Sequence, residues 1–222
     1  MSFSEEWEQR YRENTHLSLW PWSDLVSLVR RYRRDVNSRT RVLELGCGAG
    51  ANIPFFQADN VQYHAVEGSA SMVGLLRARF GEFGSRIVQG DFTISLPFEP
   101  GFDLIVDRAS LTHNSTAAIE AALALVWRAL KPGAYFIGVD WFSTRGSEFS
   151  RGQASLDPHT RTGYTQGPFA GTGRVHFSDE AHLRALFARF ELLLLEEKLV
   201  RQVVPRDDQF ASWNLVAKRP DA

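Results

Sequence analysis

The chain is poor in several things, and each shortage excludes a class. Of its 222 residues one is cysteine, Cys47, so no internal disulfide framework is expected and a reducing compartment suits it. No apolar run approaches the roughly 20 residues of a membrane-spanning helix. Excess charge is also missing: 25 Lys and Arg against 26 Asp and Glu leave −1, too little to drive the chain onto nucleic acid or a membrane surface. The opening "MSFSEEWEQRYREN" is polar and unlike a secretory signal. Spacings typical of metal ligands are lacking, so no metal is expected. Together these predict a soluble cytoplasmic protein.

What is present is an ordinary globular composition, 44% hydrophobic and 23% charged, enough for one large domain or a domain with a small cap. Residues 4 to 15 read as a charged helix with spaced aromatics. "SDLVSLVRRYRRD" reads as an amphipathic helix capped by its Ser-Asp start, with apolar positions at 25, 26, 28, 29 and 32. Its basic end (Arg30, Arg31, Arg33, Arg34) reads as a solvated face favoured by the helix dipole. From residue 41 strands and helices alternate. "RVLELG", "VQYHAVEG", "SRIVQGD", "FDLIVDRAS" and "KPGAYFIGVDWF" read as five strands, with helices between them and Ser69 and Ser178 as expected caps. "ELLLLEEKLVRQVV" and "SWNLVAKRP" close the chain as two more strands. Such alternation predicts a parallel sheet covered on both faces with right-handed crossovers. The expected division is a helical cap over 1–38 and a core over 39–222. Within the core, 143–177, rich in Gly, Ser and Thr and without clear period, is a lid-like insertion.

The stretch "VLELGCGAG" (42–50) breaks an apolar run with three glycines. Glycines at the end of a first strand let a ligand approach the backbone, and the amides that follow can face an anionic group. Glu67 closes the second strand about 20 residues later, where a carboxylate can accept two ribose hydroxyls. A dinucleotide would share those features. Glu44, two residues before the first glycine, suits a ligand with an ammonium better than a pyrophosphate, which it would repel. "QGDF" (89–92) adds an acid, Asp91, able to accept from an exocyclic amine, beside Phe92, which can lie against a base.

Taken in order, "VLELGCGAG", "VEGS", "QGDF", "FDLIVDRASLTH" and "ALKPGAYFIG" resemble the motifs of the class I S-adenosylmethionine-dependent methyltransferases over roughly residues 40 to 142. The resemblance implies a Rossmann-like α/β fold with a seven-stranded sheet, order 3-2-1-4-5-7-6, strand seven antiparallel. It implies S-adenosyl-L-methionine as cofactor and S-adenosyl-L-homocysteine as product. Glu44, Gly46, Gly48 and Gly50 would hold the methionine part, with Cys47 in the same loop. Glu67, beside Gly68, would hold the ribose, and Asp91 with Phe92 the adenine. Many members carry Asp where this chain has Glu67; the longer carboxylate still reaches both hydroxyls. Residues after the fourth strand line the transfer site in this family, which makes Asp107, Arg108 and His113 candidates by position.

For the acceptor, His113 is the best-placed imidazole to serve as a base, and Asp107 could orient it, hold a substrate hydroxyl or touch the cofactor. Trp20 and Trp22, with His16 close to Pro21, could close over the site or pack on the core. Trp141 and Tyr164 could wall the acceptor, and His176 lies where the long insertion returns. Arg145, Arg151, Arg161 and Arg174 could meet an anionic substrate. These readings describe a methyltransferase acting on an oxygen or nitrogen of a polar small molecule, a sugar derivative among the candidates. The alternatives are an RNA or protein methyltransferase, a nucleotide-dependent oxidoreductase, and a cofactor-binding module without turnover.

Overall fold

A computed structural model describes residues 5–13, 17–155, 157–205 and 207–221. The chain opens with helices α1 (Glu5–Arg12) and α2 (Ser23–Tyr32). There follow β1 (Arg41–Leu45), α3 (Ile53–Ala58), β2 (Gln62–Glu67), α4 (Ala70–Gly84), β3 (Ile87–Gln89) and β4 (Phe102–Arg108). After a 3₁₀ turn at Leu111–His113 come α5 (Thr116–Ala129) and β5 (Leu130–Phe142). The insertion holds α6 (Ser147–Arg151), β6 (Gln153–Ala154), β7 (Thr160–Thr162) and β8 (Val175–His176). The chain closes with α7 (Glu180–Leu186), β9 (Glu191–Gln202) and β10 (Asp208–Lys218).

Seven strands form one sheet in the order β3-β2-β1-β4-β5-β10-β9. β3, β2, β1, β4 and β5 pair in parallel, while β10 is antiparallel to both its neighbours. This is the expected Rossmann-like order. The physical cause is the pleat: successive side chains of a strand point to opposite faces, so an all-apolar strand feeds two cores. Val42, Leu104, Val106, Ile137 and Val139 pack beneath α2, α3 and α4. Leu43, Leu45, Ile105 and Phe136 pack beneath α5 and α7.

Along β5 that alternation is broken at Asp140, whose φ of 56° is left-handed. Leu215 pairs with Gly138 but Trp213 pairs with Trp141, so β5 takes three steps where β10 takes two. The extra residue is a bulge. It turns Trp141 away from the face of Ile137 and Val139 and into the core beneath α7.

Local signals succeed and fail for identifiable reasons. Ser69 caps α4 as expected, its hydroxyl oxygen accepting from the Met72 amide at 3.1 Å. α7 is capped instead by Asp179, which accepts from the His182 amide at 2.8 Å; Ser178 is tied to β5 and β10. α2 has no side-chain cap: Ser23 is already helical and the cap position belongs to Trp22. Arg30 pairs with Asp59 at 2.7 Å, and Arg33 pairs with Asp35 and donates to the Asp103 carbonyl. The insertion is more ordered than its composition predicts. β6, β7 and β8 form a small antiparallel sheet over an apolar cluster of Tyr164, Phe169, Val175 and Phe177. Among the described residues no helix is long and apolar enough to cross a membrane.

Candidate functional site

A cavity of about 540 Å³ opens at the carboxyl ends of β1, β2 and β4. β1 lies between β2 and β4, where the strand order reverses, the place where open α/β sheets leave a crevice. The loop after β1 forms its floor. Gly46 has φ +63°, and a Cβ there would sit 2.4 Å from Ser110 Cβ. Only glycine permits both that dihedral and that approach. Gly50, expected to touch the ligand, faces away from the cavity; a Cβ there would strike Leu76 and Ile53, so its role is packing of helix on loop. Gly48, Cys47 and Gly68 line the cavity. Burial pushes the Cys47 thiol well up, which leaves it unreactive.

Three carboxylates meet here. Glu44 is buried; its Oε1 accepts from Asn52 Nδ2 at 2.8 Å and its Oε2 from the Tyr63 hydroxyl at 2.7 Å. Burial lifts its pKa to about 7 against those two hydrogen bonds. Glu67 is buried and raised for the same reason, with its oxygens accepting from the amides of Gly48 (2.8 Å) and Ser69 (2.9 Å). Asp91 accepts at Oδ1 from the Thr93 amide and hydroxyl, with Phe92 beside it. A carboxylate oxygen has more than one lone pair, so these contacts orient the acids without exhausting them. A ligand with positive charge and hydroxyls would offset the desolvation that raises Glu44 and Glu67. This set of acceptors therefore fits an ammonium, a sulfonium and a ribose.

Asp107 does something different from what its position suggests. It is wholly buried and outside the cavity lining. Oδ2 accepts from Trp141 Nε1 at 2.7 Å, while Oδ1 accepts from the Leu111 amide at 3.0 Å and from the Ser110 hydroxyl. Burial holds its pKa up at about 6. Asp107 is the internal tie of the turn that follows β4, where Ala109 takes φ +57°. Trp141, expected at the acceptor, is the other half of that tie and fully buried.

The turn presents Arg108 and His113 to the cavity. His113 Nδ1 lies 3.1 Å from the Arg174 carbonyl, which can only accept, so in the neutral ring the lone pair is on Nε2. Trp7 and Phe142 meet its ring edge-on at 4.7 and 5.8 Å. The Arg108 guanidinium lies 3.6 Å over the Trp22 ring, and Nη2 donates to Asp140 Oδ2 at 3.0 Å. Its Nε is buried with no hydrogen-bond partner, a state that costs about 1–3 kcal/mol when left unmet.

Other expected acceptor residues lie elsewhere. Trp20 is 79% exposed and off the cavity. Tyr164 is buried within the insertion, donating to the Glu148 carbonyl at 2.9 Å. His176 is buried against His182, Nε2 to Nε2 3.0 Å. Arg145 pairs with Glu197, Arg151 with Glu148 and Asp208, and Arg161 lies over Phe149. His16 lies outside the described residues. Sequence reading missed Tyr11, Asn52, Phe142, Phe169 and Phe210, all of which line the cavity. Asn52, just after the glycines, was findable as a loop-to-helix polar residue. The phenylalanines come from separate segments and carry no local signal. Among the described residues no cluster could hold a metal.

Residues 42–133 match the family model described as a methyltransferase domain. Among curated proteins, no sequence matches the chain. Solved structures do resemble it. An S-adenosylmethionine-dependent methyltransferase of Methanosarcina mazei superposes with TM-score 0.71 at 17% identity, covering 92% of this chain and 100% of that one. An amino pentose methyltransferase of Micromonospora echinaspora, solved with its cofactor, gives 0.57 at 19% identity, covering 98% of each chain. A didemethyltoxoflavin N-methyltransferase of Burkholderia thailandensis gives 0.62 at 17% identity, covering 96% of this chain and 83% of that one. At these identities the structural likeness establishes the fold.

Proposed function

We propose that the chain, whose residues 42–133 match a methyltransferase domain, is a class I S-adenosylmethionine-dependent methyltransferase that transfers the methyl group to an oxygen or nitrogen of a polar small molecule. The observation that carries this is the convergence of Glu44, Glu67 and Asp91, with the glycine loop, on one cavity that also reaches His113. In this reading Glu44 and the loop amides hold the methionine part, Glu67 accepts from the ribose hydroxyls, and Asp91 with Phe92 takes the base.

S-adenosylmethionine, when bound, supplies an electrophilic methyl and a sulfur that leaves uncharged, so no acid has to assist departure. The protein's task is alignment of the acceptor, where orientation contributes about 7–11 kcal/mol. A hydroxyl or amine acceptor must shed a proton, and His113, the imidazole that lines the cavity, is the base we assign to take it. Asp107 holds the turn that carries His113 and does not itself meet the acceptor.

We read residues 1–38 and 143–177 as cap and lid on the core. Support comes from α1: Glu8 accepts from the Ser69 hydroxyl at the start of α4, and Arg10 Nε donates to the Gly171 carbonyl of the insertion at 3.0 Å. A lid of this kind excludes water from the transfer.

The test is direct binding followed by turnover. Calorimetric titration with S-adenosylhomocysteine is expected to give saturable one-site binding, with NAD giving none, and S-adenosylmethionine should be consumed with a small-molecule acceptor. Stabilisation by NAD and none by S-adenosylhomocysteine would overturn the reading.

A further inference from the structure

The acceptor end of the cavity has a chemistry of its own. Phe142, Phe169 and Phe210 wall it, with Phe142 4.6 Å from Phe169 and 6.2 Å from Phe210, centroid to centroid. Trp22 and His113 add two more flat faces. Rings of this kind receive another ring by edge and face contacts. Among the described residues that line the cavity, Arg108 is the one guanidinium, and there is no lysine.

Arg108 is built rather than free. The Trp22 ring backs its plane at 3.6 Å, and Asp140 takes Nη2. Asp140 is in turn gripped by Lys198 Nζ at 2.8 Å and the Ser212 hydroxyl at 3.2 Å, and Lys198 also pairs with Asp24. Two cations and two anions alternate through this network, so its charges balance and Asp140 is shared between Arg108 and Lys198. The left-handed backbone at Asp140 serves this arrangement, since the bulge aims its carboxylate at Arg108 and Lys198. What the arrangement leaves over is Nε: buried, donating to nothing, on a residue that faces the cavity. A guanidinium donates in a fixed planar fork that matches a carboxylate.

We propose that Arg108 anchors a carboxylate carried by a flat-ring acceptor, the ring lying among Phe142, Phe169 and Phe210 and the methylated oxygen or nitrogen on the His113 side. The proposal rests on the methyl-transfer reading above. It narrows the acceptor to an aromatic or heteroaromatic acid and makes Arg108 the residue that selects it. The partly exposed guanidinium donates a hydrogen bond to a carboxylate oxygen, and no covalent bond is made or broken at Arg108.

The experiment uses the full chain saturated with S-adenosylhomocysteine and titrated with 4-hydroxybenzoate, 3,4-dihydroxybenzoate and anthranilate, each beside its amide. The same compounds are then offered as acceptors with S-adenosylmethionine. Each acid is expected to bind about tenfold or more tighter than its amide, the discrimination a single charged hydrogen bond supplies. In Arg108→Gln the gap should close through a rise of roughly 10–100-fold in the acid's Kd and KM, with kcat little changed and S-adenosylhomocysteine affinity intact. Arg108→Lys should recover part, since an ammonium lacks the fork. Acid and amide binding alike, an acid preference that survives in Arg108→Gln, or binding by no acid of the set overturns the anchor. Failure of the methyl-transfer reading looks different: S-adenosylhomocysteine does not bind, or bound acids are not methylated. The acid–amide gap, measured with and without that ligand, still reports on Arg108 alone.

Discussion

The backbone N–H of Gly48 donates to Glu67 Oε2 over 2.8 Å, so the glycine loop after β1 and the acid that ends β2 form one unit. In Glu67→Ala the loop loses an acceptor for the Gly48 and Ser69 amides, and the proposed ribose contacts vanish. Two charged hydrogen bonds at about 1.5–3 kcal/mol each predict a loss of at least 100-fold in S-adenosylhomocysteine affinity. Calorimetry reads it, and an unaltered dissociation constant rules out the ribose role.

His113 is tested by kinetics. With Nδ1 held by the Arg174 carbonyl, its replacement removes a lone pair and leaves the carboxylates of the cofactor end untouched. For an acceptor that must lose a proton, His113→Ala is expected to lower kcat by about 10²–10⁴-fold with S-adenosylhomocysteine binding unchanged. Near-normal kcat would remove the base from the scheme.

Trp141 and Asp107 make a stability prediction. Trp141→Phe deletes the donor to Asp107 Oδ2 inside a fully buried site and keeps most of the ring. An unmet buried acceptor costs about 1–3 kcal/mol, and urea denaturation should register it as a lower midpoint. If Trp141 instead walled the acceptor, KM would rise while stability held.

The histidines of β8 and α7 bear on acid sensitivity. His176 and His182 meet Nε2 to Nε2 at 3.0 Å, and the His159 ring stacks on His182 at 3.6 Å. Desolvation first, then the neighbouring histidines, lowers their pKa values to about 3 and about 4, against the pull of Asp157 and Asp179. A depressed folded-state value means the unfolded chain binds more protons below its own pKa of about 6.5. The contribution to stability is therefore complete above about pH 6.5 and is lost as pH falls toward 4. Glu44, at about 7, and Asp107, at about 6, work in the opposite sense over the same range, since the folded state holds their protons. They are common to wild type and variant and cancel in the comparison. His182→Asn should lose less stability than wild type between pH 7 and pH 4.5, by roughly 1–2 kcal/mol after allowance for partial exposure. Parallel pH curves for the two proteins would show that the cluster does not titrate on unfolding.

Much of the architecture was legible because its determinants are local. The apolar runs, the 3.6-residue periods and the glycines at 46 and 48 act within a few residues, and they specify strand, turn and helix wherever the chain goes. The acids Glu44, Glu67 and Asp91 could be expected at one cavity because parallel strands bring their carboxyl ends to one edge. Capping was less legible: Asp179 and Ser178 are chemically equivalent signals, and contacts with β5 and β10 decided between them.

Local pattern therefore specifies the doubly covered sheet and the acidic, glycine-floored end of the cavity. The other end depends on contacts between distant segments. Alternation along β5 would send Trp141 to the face of Ile137 and Val139, and the left-handed residue at Asp140 reverses it. The wall of Phe142, Phe169 and Phe210 comes from three separate segments, and the setting of Arg108 depends on Trp22, Asp140 and Lys198. No local period encodes those meetings. They depend on strand register and on how the insertion folds back, long-range relations that exist only once the chain has closed.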